Sequence, residues 1–207
     1  MRKNMQSVDG KVLSRIYGHK RGWVFTPGHF KDLGSRDAIA SALKRYKQSG
    51  VIRQLARSLY DYPKTHPQLG LLSPPAEDIA KALAGRDAIR LQPSGAYAAN
   101  LLGLSTQVPM KIVYLTDGAS RTVKIEKREI ILKRTTPRNM ATAGKISGLV
   151  IQALRYLGKE HVDDEIIQKL ERRLDKAACD QLMKDIRYAP VWIADIFRLL
   201  AERLSAQ

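Results

Sequence analysis

Between residues 8 and 62 the apolar positions recur at two spacings, and each change of spacing marks a new short element. Val8, Val12, Leu13, Ile16 and Tyr17 fall three and four apart, as on one face of a helix. That predicts a helix over residues 4–18, with Ser7 as a capping residue, Asp9 near its positive end and Gly18 closing it. Trp23, Val24 and Phe25 form a short apolar strand. Thr26 and Pro27 suit the N-cap and first position of a short helix running to Leu33. Gly34 makes a turn, and Ser35 caps a second helix over residues 36–48. Ile39, Leu43 and Tyr46, with Ala38 and Ala42, form its buried face. Val51–Leu55 and Leu59–Tyr62 then read as two strands joined at Ala56, Arg57 and Ser58.

Downstream the pattern changes. Pro63, Pro67, Pro74 and Pro75 with Gly70 predict a linker over residues 64–75. A helix from Glu77 to Leu83, a strand over 88–91 and a helix ending at Gly103 follow. Three strands are expected at 111–115, 121–125 and 130–133. Asp117-Gly118 predicts a tight hairpin between the first two. Residues 135–144 read as a loop and 145–157 as a helix. Helical periodicity returns over 163–174, 176–187 and from Pro190 to Leu204. The expected architecture is α+β. It comprises a winged helix-turn-helix over residues 1–63, the linker 64–75, an α+β domain with a largely antiparallel sheet over 76–160, and a helical tail over 161–207.

Charge gives the first part a direction. The net charge is +16 over 207 residues. Residues 1–64 hold seven Lys and seven Arg against four Asp and no Glu, and so contribute +10; the other 143 residues contribute +6. A first third this basic points to a polyanionic partner. In a helix-turn-helix the start of the second helix touches base edges. Arg36 can take a guanine bidentately, and Ser41 can bond either way. Lys44, Arg45 and Lys47 are placed for phosphates, which add affinity without sequence information. Arg53 and Arg57 are the candidates on the hairpin, where a wing lies along a backbone or in a narrow minor groove.

Other chemistries find little support. His19, His29, His66 and His161 are scattered, with no pair at ligand spacing, so no metal site or cofactor is expected. No phosphate loop, dinucleotide fingerprint or nucleophile elbow occurs, and no catalytic role is expected. The lone Cys179 excludes an internal disulfide and reads as a small buried residue. No apolar run approaches a membrane span, and no signal peptide is visible, so a soluble cytoplasmic protein is expected.

The block GWVFTPGHFKDLGSRDAIASALKRYKQSGVIRQLARSLYDYPK is followed by LGLLSPPAEDIAKALA, then IRLQPSGAYAANLLGLSTQVP and IVYLTDGASRTVKIEKREIILKRT. In this order, over roughly residues 5–160, the blocks resemble the AbiEi-type antitoxins of type IV toxin–antitoxin systems. The resemblance implies an N-terminal winged helix-turn-helix that represses its own operon at inverted repeats in double-stranded DNA. It also implies a second domain that neutralises a nucleotidyltransferase-like toxin, with or without a stable complex. Operator contacts would fall on the helix beginning at Ser35 and on the wing around Arg57; antitoxicity would fall after about Pro74. The helical tail after His161 departs from the pattern. Two alternatives stay open on the residues alone: a ligand-responsive winged-helix regulator, and a protein that uses the same fold for protein contacts.

Overall fold

A computed structural model describes residues 7–85 and 89–205. Residues 4–6 of the expected first helix and Ala88 of the expected strand lie outside the described residues. The protein is a mixed α+β chain. Its contacts group it into two compact units, Met1–Ala88 with Val123–Ile125 and Ile89–Thr122 with Glu126–Gln207.

The first unit contains α1 (Val8–Gly18), β1 (Val24–Phe25), α2 (Arg36–Gln48), β2 (Arg53–Ala56), β3 (Leu59–Asp61), β4 (Thr65–His66), β5 (Gly70–Leu71) and α3 (Ala76–Ala84). Strand β3 lies between β1 and β2, antiparallel to both. The apolar faces read from the sequence meet in one core: Val12 and Ile16 of α1, Phe25 and Phe30, and Ile39, Leu43 and Tyr46 of α2. The expected helix over 26–33 is a single 3-10 turn, Pro27–Phe30. His29 Nδ1 accepts the Thr26 N–H at 3.1 Å and closes the turn after one cycle.

Several contacts fix α1 against this turn and against α2. The Arg15 guanidinium donates to both oxygens of Asp32 at 2.8 and 2.7 Å and to the His29 carbonyl at 2.7 Å. The Tyr46 hydroxyl donates to the Asp9 carbonyl at 2.8 Å. Burial pushes the Tyr46 phenol well above its ordinary range, and Asp9 adds to the effect. Gly34 is needed for close approach, because a Cβ there would stand 2.6 Å from Val8 Cγ2. Gly34→Ala should therefore cost about 1–3 kcal/mol through overpacking, read as a lower denaturant midpoint.

The segment read as a linker is ordered. Strands β4 and β5 pair antiparallel within it. Beyond them the Leu72 carbonyl accepts the Arg53 guanidinium at 2.9 Å. Helix α3 groups with the first unit, so the compact units part near residue 88 and not within 64–75.

The second unit contains β6 (Leu91–Ser94), α4 (Gly95–Leu101), β7 (Lys111–Thr116), β8 (Arg121–Ile125, shared with the first grouping), β9 (Arg128–Arg134), α5 (Pro137–Met140), α6 (Ile146–Leu157), α7 (Asp164–Arg173), α8 (Lys176–Lys184) and α9 (Val191–Ser205). Its strand order is β6-β7-β9-β8. The hairpin expected at Asp117-Gly118 does not form. Strand β7 instead pairs with β9 in parallel, placing Ile112 opposite Ile130 and Tyr114 opposite Leu132. Burial explains the outcome. Ile130 and Leu132 are each 1% exposed, so β9 takes a central place, while Arg121 and Lys124 suit β8 to the edge. Asp117 accepts the Arg90 backbone N–H at 2.9 Å and its Nε at 2.8 Å, and does not close a hairpin. Only two residues join β8 to β9, a link that fits antiparallel neighbours alone. The sheet is thus antiparallel at both flanks with a parallel pair at its centre. Pro93, which has no N–H to donate, is accommodated because β6 is an edge strand.

The helices after residue 161 pack into the core of the second unit. Ile167 and Leu170 of α7, Leu182 of α8 and Ile193, Phe197 and Leu200 of α9 share one core with α4 and α6. Cys179 is buried in it, and burial pushes its thiol above the ordinary value. Among the described residues no helix is long and apolar enough to cross a membrane.

Candidate nucleic-acid interface

Helix α2 starts where local chemistry says it should. Ser35 Oγ accepts the Ala38 N–H at 3.3 Å, Asp37 lies in the first turn, and Arg45 and Lys47 lie in the last. At about 100° per residue, Ile39, Ala42, Leu43 and Tyr46 make the buried arc. The opposite arc is bounded by two basic residues that are already engaged. On one flank Arg45 grips Asp9 Oδ1 of α1, through Nη2 at 2.6 Å and Nε at 3.2 Å. On the other, Lys47 Nζ donates to Gln54 Oε1 of β2 at 3.0 Å. Between these flanks Asp37, Ala40, Ser41, Lys44 and Gln48 are exposed.

Arg36 is also exposed, at the helix start, beside a hollow lined by Pro27, Gly28, Lys31, Gly34 and Ile39. Lys31 was not singled out from sequence. Its signal was available: it is a basic residue in the turn leading into α2.

The β2–β3 hairpin separates its two arginines. Arg57 sits at the exposed tip, next to Ser58, whose φ of 58° gives the left-handed bend that the two-residue loop needs. The pairing shifts register between Gln54 and Ala56, a bulge that increases the local twist of the hairpin. Arg53 lies at the base and faces inward. Its Nε and Nη2 donate to the two oxygens of Asp61 at 3.1 and 2.6 Å. Among the described residues Arg36, Ser41, Lys44 and Arg57 use their side chains in no hydrogen bond or ion pair. Of the eight candidates, these four are presented free to an incoming ligand. Ser35 serves as a cap, Lys47 holds the hairpin, and Arg45 and Arg53 are held in ion pairs.

Residues 11–182 match the model of a family described as a family of unknown function, DUF6088. The chain belongs to DUF6088. The match runs from α1 into α8 and takes in both compact units, so the basic first unit and the sheet-bearing second unit belong to one family pattern. No curated protein matches this DUF6088 chain. Among its described residues no group of three or more His, Cys, Asp or Glu side chains is arranged to hold a metal ion.

Proposed function

We propose that this DUF6088 chain binds double-stranded DNA through the exposed arc of α2 and the tip of the β2–β3 hairpin, as a winged helix-turn-helix, and that it regulates its own operon. One observation carries the reading. Arg36 at the start of α2, Ser41 and Lys44 on its outward arc and Arg57 at the hairpin tip are unpaired, in the part of the chain that contributes +10 of the +16 net charge. Arg36 and Ser41 take the base edges, Lys44 a phosphate, and Arg57 the neighbouring backbone or minor groove. The antitoxin role, directed at a nucleotidyltransferase-like toxin, rests on the resemblance to AbiEi-type antitoxins and falls to the region after about Pro74.

A gel shift on duplex from the region upstream of its own gene tests the DNA half. Retardation is expected. Arg36→Ala should cost about 1–3 kcal/mol and relax the preference at one base position. Lys44→Ala should weaken all duplexes alike and lower the salt slope by about one unit. No retardation at low salt sinks the proposal. The antitoxin half is tested by co-expression with a neighbouring nucleotidyltransferase-like reading frame, where failure to restore growth sinks it.

A further inference from the structure

Beyond residue 64 the chain carries a second concentration of positive charge. Residues 121–134 hold six basic and two acidic side chains, so this short stretch supplies +4 of the +6 carried by residues 65–207. Arg121, Lys124, Lys127, Arg128, Lys133 and Arg134 are all exposed. Among the described residues none of the six uses its side chain in a hydrogen bond or ion pair. That contrasts with Arg15, Arg45, Arg53, Lys81 and Lys145, each of which has a carboxylate within 3.0 Å. Six unpaired cations on one hairpin repel each other, a cost that a polyanion removes.

We infer that the β8–β9 hairpin is a second, sequence-blind contact for the phosphate backbone of double-stranded DNA. Protection of a free sheet edge would account for Arg121 and Lys124 of β8. It does not account for Lys127 and Arg128 at the turn, or for Lys133 and Arg134 at the end of the inner strand. The charges fall at both ends of the hairpin, about 16 Å apart at the usual strand rise. At the far end Ser120 Oγ accepts the Arg134 backbone N–H at 3.0 Å and holds the two chain segments together. A track of that length faces several phosphates of a duplex.

Composition separates a duplex from a single strand. Proteins that hold single strands stack bases on exposed aromatic rings. Residues 119–138 contain no Phe, Tyr, Trp or His, so the hairpin offers charge without a stacking surface. The choice of DNA among duplex polyanions rests on the function proposed above.

The test uses the full chain and two duplexes, the upstream region of its own gene and a scrambled sequence of equal length, titrated between about 50 and 200 mM salt. Four proteins are compared: wild type, the quadruple variant R121Q/K124Q/K127Q/R128Q, the reader variant R36A/R57A, and a matched-charge control R172Q/K159Q/K176Q/K184Q. The hairpin variant should lower the salt slope by about 3–4 on both duplexes and leave the ratio of their affinities unchanged. The reader variant should instead collapse the ratio and keep most of the slope. A hairpin variant with the wild-type slope, or a control that lowers the slope equally, overturns the inference. Retention of a single-stranded oligonucleotide alone, lost in the hairpin variant, overturns the duplex assignment. If R36A/R57A leaves the ratio untouched while the hairpin variant loses slope, the α2 reading fails and the second contact stands.

Discussion

Arg53→Ala should destabilise the first unit by about 3–5 kcal/mol, measured by denaturant unfolding, and should weaken DNA retention only because the β2–β3 hairpin no longer holds. Asp61 is 1% exposed, and both its oxygens are satisfied by this one guanidinium. Removing Arg53 leaves a carboxylate in the interior with no counter-charge, which costs far more than the pair contributes. The same guanidinium also ties the hairpin base to the Leu72 carbonyl. Asp61→Ala separates the two roles that a basic residue on a hairpin can play. If Arg53 served as a phosphate contact, deleting the nearby acid would strengthen retention. As a structural cation, it loses its anchor, and retention weakens with stability. Replacing both members by apolar residues, R53M/D61L, should recover most of the loss. A variant R53A with the wild-type unfolding midpoint contradicts this account.

Asp185→Ala should have the corresponding effect in the second unit, at about 2–4 kcal/mol. Asp185 is 4% exposed. It accepts the Ser147 hydroxyl at 2.6 Å, the Gln181 amide at 2.7 Å and the Lys145 ammonium at 3.0 Å. Burial alone would push its carboxyl up, but the bonds from Ser147, Lys145 and Gln181 hold it below the usual carboxylate range. The folded value therefore lies under the unfolded one of about 3.9. Its contribution is complete above that pH and disappears as the pH falls through the folded value. Asp185→Asn should accordingly flatten the acid limb of the stability curve, and the gap from wild type should narrow in strong acid. A constant gap from pH 7 to pH 3 sinks this reading.

The two cases show what a sequence carries and what it withholds. Helix α2 was legible because its determinants are local: a serine cap, and apolar residues at one helical spacing. The exposed positions of Ser41 and Lys44 followed from the same periodicity. Which cations remain free did not follow. Arg45 is claimed by Asp9, 36 residues earlier, and Arg53 by an aspartate across a strand pair. Charge is visible in a sequence, whereas its partner is a tertiary fact. The sheet misled for a related reason. Asp117-Gly118 is a sound local turn signal, but the burial of Ile130 and Leu132 is a long-range demand, and it prevailed. Which elements the helices after residue 161 pack on was not legible, because their apolar faces meet α4 and α6 only in space.

The order of strands in the second sheet bears on how the protein is made. Strand β9 is the last of the four to be synthesised, yet it occupies the place between β7 and β8. Without residues 128–134 the chain has β7 and β8, two strands that are not neighbours in the finished sheet. Both have open edges until residues 128–134 emerge to fill the gap between them. The cations of β8 then act early. Charge on an unpaired strand disfavours its pairing with another strand, so Arg121 and Lys124 oppose a wrong partner for β8 before the central strand is in place.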